Sequence, residues 1–133
     1  MRNNSERYLL GRALAGLTAI VAVTVVAVPA QAQGDPALGK TQYNKCVACH
    51  SIKAGENKVG PSLHGIVGRQ SHSIEGFNYS EPMKAYNVTW DVATLDKYLV
   101  DPRGTVVGTK MIFAGLKKDD ERANLIAYLE TLK

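Results

Sequence analysis

The chain has 133 residues, 16 Lys and Arg against 12 Asp and Glu, a formal charge of +4 and two cysteines. That length holds one domain at most. So mild a basic excess is not the footprint of a nucleic-acid binder, and two cysteines with scattered histidines cannot complete a four-ligand structural zinc site.

The first segment, residues 1–32, does not read as part of that domain. Arg2, Arg7 and Arg12 make a basic front, and Ala13 to Val28 is apolar apart from Gly16, Thr18 and Thr24. Ala30-Gln31-Ala32 follows Pro29 as a small-x-small cleavage pattern, so the segment is predicted to be a cleaved signal peptide. An uncleaved membrane anchor is the alternative, but a run of about sixteen residues is short of the roughly twenty that a spanning helix needs. Removal of Arg2, Arg7, Arg12 and Glu6 leaves 13 basic and 11 acidic residues. The expected domain, 33–133, is therefore soluble, exported and close to neutral.

The next element is predicted to be a helix from about Pro36 to Cys49. Asp35 can cap it, Pro36 suits the first helical position, and Gly39, Tyr43 and Cys46 share one face. Its end carries CVACH, residues 46–50. A metal ion, a redox disulfide and a covalently attached haem are the occupants to weigh. A thioredoxin-like disulfide needs a strand before its cysteines, and here a helix precedes them. Zinc lacks ligands, because Cys46 and Cys49 are the only cysteines and His64 and His72 stand isolated. C-x-x-C-H is the attachment signature of c-type haem. Each sulfur joins one vinyl group, so both must reach the same porphyrin edge from one helical turn, and the imidazole of His50 can then lie under the iron.

Asp91 to Val100 is predicted as a second helix, with Val92, Leu95, Tyr98 and Leu99 inward and Pro102 stopping it. A loop framed by Gly104, Gly108 and Gly115 follows. It presents Met111, and an irregular segment offering one soft side chain suits a sixth ligand to haem iron. Met83, on a short turn, reads as core filling. A third helix starts near Asp119, whose side chain can cap it. Asp120 and Glu121 suit the positive end of its dipole, and Leu125, Tyr128, Leu129 and Leu132 form its apolar stripe. No convincing strand pair is seen, so the fold class is all-α, three main helices with long loops. A domain this small cannot build a core from glycine-rich loops unaided. The haem supplies the apolar centre, and the chain without it is expected to be largely unfolded.

"GTKMIFAGLKKDDERANLIAYL", "VGPSLHGIVGR" and "TWDVATLDKYLVDP", with CVACH, resemble in order the class I c-type cytochromes, mitochondrial cytochrome c and its small soluble bacterial relatives. The resemblance covers nearly all of 33–133 and implies the small cytochrome c fold wrapped around one covalent haem c on Cys46 and Cys49. It implies His50 and Met111 as the axial ligands, and the carbonyl of Pro61 as acceptor for the second nitrogen of His50. Arg69, Tyr79 and Trp90 match positions that meet the haem propionates. Tyr98 and Thr109 match neighbours of the methionine sulfur and the inner propionate, and Phe113 matches the aromatic over the haem. Gly39 would allow a close crossing of the terminal helices against Tyr128. His64 is left structural, and His72 has no counterpart.

Two departures stand out. Val107 precedes Gly108 where the family commonly has proline, which weakens the strap by less than about 1 kcal/mol. Met83 falls where relatives often carry a polar residue contacting an internal water, so it would dry the pocket and stand as an alternative ligand.

The function implied is a periplasmic one-electron carrier, not an enzyme. Lys45, Lys58, Lys84, Lys110, Lys117 and Lys118 would gather round the exposed haem edge to meet acidic surfaces of redox partners. Those partners include a terminal oxidase, a quinol-oxidising complex, a reaction centre or a periplasmic dehydrogenase; a monomer and no nucleic acid are expected. A membrane-tethered carrier, or a haem sensor or enzyme with a labile sixth ligand, is the alternative.

Overall fold

Asp35 starts the first helix by accepting at Oδ1 from the backbone N–H of Ala37 at 2.7 Å and of Leu38 at 3.3 Å. Pro36 loses nothing in that first turn, where its missing N–H has no helical partner. The computed structural model describes residues 34–133, so the expected signal segment lies outside the described residues. The helix α1 is Pro36–Tyr43, not the longer helix to Cys49 that the sequence suggested. Beyond Tyr43 the bonds tighten: Cys46 N–H reaches Tyr43 O at 2.7 Å and Cys49 N–H reaches Cys46 O at 3.0 Å. These three-residue closures wind the turn that carries both cysteines more tightly than an α-helix.

The helix α2, Glu81–Ala85, and α4, Pro102–Thr105, arise in segments expected to be loop. Each is too short to show a helical period, and each is opened by a capping side chain and a proline, Ser80 with Pro82 and Asp101 with Pro102. Pro102 therefore begins a helix as well as ending one, and Gly104 sits in that helix instead of framing the loop. Between them lies α3, Val92–Val100, capped by Asp91 with a 2.7 Å bond to Thr94 N–H. Leu95, Tyr98 and Leu99 are buried as expected, but Val92 is exposed at 37%. It occupies the first turn, where the helix has not yet met its neighbours.

The last helix, α5, is Asp119–Glu130. Lys118, not Asp119, holds the capping position and makes no side-chain cap bond. Asp119 stands one residue inside, with Asp120 and Glu121, where carboxylates favour the dipole. Among the described residues the sole strand-like pairing is the bridge Gln70–Thr89, so the architecture is all-α.

The frame is the crossing of α1 with α5. A Cβ on Gly39 would overlap the Asn124 carbonyl and stand 2.7 Å from Tyr128 Cβ. Tyr43 and Tyr128 meet across it with ring centroids 5.7 Å apart, and Asp35 N–H donates to Asn124 Oδ1 at 2.7 Å. Gly39→Ala is therefore expected to cost about 3 kcal/mol, since the obstacle is backbone that a rotamer change cannot clear. A lowered midpoint of denaturant unfolding for the holoprotein checks this; an unshifted midpoint means the helices re-cross freely.

Candidate functional site

The turn after α1, the loop 59–80, α3, the strap 106–116 and α5 enclose one cavity of about 430 Å³. Its wall is mainly apolar, with Leu63, Ile66, Leu95, Leu99, Leu125 and Leu129 among the contributors. Cys46, Cys49, His50, Pro61, Arg69, Tyr79, Trp90, Tyr98, Thr109, Met111 and Phe113 all line it. Residues named from four separate stretches of sequence thus share one space.

Cys46 and Cys49 are free thiols. Burial pushes the Cys46 thiol up to about 11, the nearby Lys45 only partly opposing it. Such a thiol is protonated at neutral pH and unsuited to act as a thiolate. The turn leads into His50, whose backbone carbonyl accepts from Tyr43 Oη at 2.7 Å. His50 Nδ1 lies 2.8 Å from the Pro61 carbonyl, which fixes the ring and leaves Nε2 for the cavity. Burial lowers the imidazole's pKa, the Pro61 bond resists, and Lys58 lowers it further, so the ring is neutral as a metal ligand requires. Gly60 makes this possible: a Cβ there would stand 2.7 Å from His50 Nδ1 and 2.8 Å from Nε2. Tyr43 was read only as part of one face of α1, and Gly60 was not singled out, though it had a signal, a glycine directly before the proline that serves the ligand.

Met111 also lines the cavity, with Tyr98 Oη 3.9 Å from its sulfur. Burial raises the Tyr98 hydroxyl to about 12, with Thr109 opposing through a hydrogen bond, so it stays a neutral donor. Thr109 Oγ1 also accepts from Met111 N–H at 3.3 Å. Trp90 packs on Tyr98 at 4.8 Å between ring centroids. Met83 lines the cavity too; it sits in α2, where it offers an apolar thioether and no polar atom to water.

Arg69 is half-buried. Its guanidinium donates to His64 O at 2.7 Å and Ser62 O at 2.8 Å, and burial lowers its pKa. No carboxylate pairs with it among the described residues. A half-buried cation without an anion on a cavity wall favours an anionic group inside. His72 also borders the cavity, in a left-handed conformation (φ 48°) that non-glycine residues rarely adopt, with its ring edge-on to Tyr79.

The six lysines are less uniform than expected. Lys45 and Lys110 stand on the rim. Lys45 pairs with Glu121 at 2.9 Å, Lys118 with the same carboxylate at 3.5 Å, and Lys84 with Glu81 at 2.7 Å. Lys58, Lys110 and Lys117 instead rest on the carbonyls of Val47, Asn78 and Val100, so their charges are not cancelled by a carboxylate. Beside them, Val59 and Ile112 line the mouth while 83% and 92% exposed. Those two had no signal in the sequence, because an apolar residue in a loop reads as buried until its direction is known.

The donor set fits a haem c: two free thiols in C-x-x-C-H spacing, a neutral imidazole, a thioether, apolar walls and a guanidinium without a carboxylate partner. A family model described as Cytochrome c matches residues 36–133. Cytochrome c-554 of Methylosinus trichosporium is 50% identical over 114 residues, 85% of this chain and 86% of that protein. Cytochrome c2 iso-2 of Magnetospirillum fulvum is 50% identical over 90 residues, 68% of this chain and 94% of its own length. Cytochrome c-550 of Nitrobacter winogradskyi is 50% identical over 97 residues, 72% of this chain and 89% of that protein.

Proposed function

The chain belongs to the cytochrome c family, as an electron-transfer protein with one covalent haem c, and we propose that it is a periplasmic one-electron carrier with His50 and Met111 as axial ligands. The observation that carries this reading is that Cys46, Cys49, His50 and Met111 all line a single cavity. When bound, haem c supplies a centre that exchanges one electron between ferric and ferrous states.

The protein's residues then set how that exchange runs. Cys46 and Cys49 fix the cofactor, and His50 is oriented by Pro61 and cleared by Gly60. Met111 would supply the second protein ligand, which would leave the group no open site for oxygen or peroxide. Its soft thioether favours ferrous iron, and the apolar walls disfavour the added charge of the ferric form, both of which raise the potential. Arg69, with Tyr79 and Trp90 beside it, meets the propionates. The expected result of a potentiometric titration is a single one-electron wave well above about 0 mV; a low or split wave would remove Met111 from the iron.

In this reading residues 1–32 are a signal peptide and 33–133 the exported domain; among the described residues no helix is long and apolar enough to cross a membrane. N-terminal sequencing of the exported protein decides it, since a start at Met1 leaves the anchor in place.

The partners are acidic faces of redox complexes such as a terminal oxidase or a quinol-oxidising complex. Lys58, Lys110 and Lys117 steer the encounter, and Val59 and Ile112 press the mouth against the partner and exclude water. Changing those three lysines to glutamate is expected to slow association with an acidic oxidase by about tenfold at low salt. The difference shrinks near 1 M, where the screening length falls to about 3 Å. Stopped-flow rates at several ionic strengths measure it, and a salt-independent rate for both proteins rules steering out.

A further inference from the structure

Between Thr109 and Leu116 the chain has little support of its own. Among the described residues, residues 110–115 take part in no backbone–backbone hydrogen bond. Met111 N–H reaches only the Thr109 hydroxyl, and Lys110 Nζ reaches Asn78 O at 3.2 Å. A strap so lightly tied takes its path from its two ends.

The far end is Leu116, which is buried and donates its N–H to Leu99 O in α3 at 2.8 Å. Its carbonyl accepts from Arg122 Nη1 at 3.0 Å. Arg122 is only 5% exposed. Its Nε donates to Asp96 Oδ1 at 2.7 Å and its Nη2 to Asp119 Oδ1 at 2.6 Å. One guanidinium therefore ties the strap's end to α3 and to the first turn of α5. The same α3 carries Tyr98, whose hydroxyl faces the Met111 sulfur. The anchor and the sulfur's neighbour move together. A lysine cannot replace this, because its donors radiate from one point and do not span three acceptors in a plane.

We propose that Arg122 is the positioning residue for Met111, holding the strap so that the thioether stays on the iron. The inference rests on Met111 being the distal ligand.

Imidazole added to the ferric holoprotein competes for the position that Met111 holds, and haem absorbance follows the competition. Its apparent affinity scales with the fraction of molecules in which the strap is away. Arg122→Lys is expected to bind imidazole about tenfold more tightly than wild type. Asp119→Asn, which keeps the guanidinium and alters an exposed carboxylate, is expected to shift it in the same direction by less. Ile126→Val, a buried change in α5 outside these contacts, is expected to lower the denaturant midpoint with imidazole affinity unchanged.

If Arg122→Lys lowers the unfolding midpoint yet binds imidazole as wild type does, Arg122 is structural only and the inference fails. It fails equally if Ile126→Val and Arg122→Lys both raise affinity in proportion to their lost stability. Should Arg122→Lys not fold, an unchanged affinity in Asp119→Asn overturns it. Met111→Ala separates the premise: if that variant binds imidazole no better than wild type, the ligand assignment has failed.

Discussion

Met111→His is expected to lower the reduction potential by on the order of 0.2 V, a quarter or so of the roughly 0.8 V over which axial ligands move haem potentials. At about 59 mV per factor of ten, this changes the balance of the two oxidation states by roughly three decades. The sign follows from ligand character, since an imidazole stabilises ferric iron better than a thioether does. The fold is expected to stay, because the strap around Met111 makes no backbone ladder with the rest of the chain. Potentiometry with far-ultraviolet circular dichroism on the same sample reads both. An unchanged potential would take Met111 off the iron and turn attention to Met83, the other methionine bordering the cavity, which Met83→Leu then tests.

Cys46→Ala combined with Cys49→Ala is expected to yield a largely unfolded chain. Left without its haem, a cavity of about 430 Å³ at about 24 cal/mol per Å³ costs on the order of 10 kcal/mol. Domains of this kind have total stabilities of about 5–15 kcal/mol, so the penalty is as large as the whole. The walls that lose contact are Leu95 and Leu99 from α3 and Leu125 and Leu129 from α5, the apolar faces that hold these helices in place. Loss of most of the helical dichroism signal and of cooperative unfolding is the outcome to look for. Retention of both in a preparation shown to be free of haem would mean that the fold does not need the cofactor.

The site was more legible in the sequence than the fold. Covalent attachment imposes a fixed local spacing, and Cys46, Cys49 and His50 display it within five residues. Asp35 and Asp91 were equally plain, because a cap is a contact between near neighbours. The end of α1 was not legible: after Tyr43 the same residues that continue a helical pattern are drawn into tighter turns by the cavity they border. Val92 has the right spacing for an inward face but lies at a helix end, where spacing does not decide burial. Asp119 and Lys118 differ by one position, and side-chain propensity prefers the aspartate; the fold instead spends Asp119 on Arg122. Glu121 was read as a charge suited to the positive end of the last helix, whereas it also pairs with Lys45, 76 positions away. Arg122 gave no signal at all, since a charged residue in a helix reads as solvated until its partners from elsewhere in the chain are known.

The crossing at Gly39 joins the first described helix to the last. In the export proposed above, with the N-terminus leading, that crossing cannot close early, because Ala123, Asn124 and Tyr128 come long after α1 in the chain. Until they arrive, α1 has no partner and is too short to persist alone. The two thiols that follow it would therefore stay open to whatever chemistry meets them until α5 arrives. Arrival of α5 thus acts as the clock, since the crossing cannot close before that helix is present.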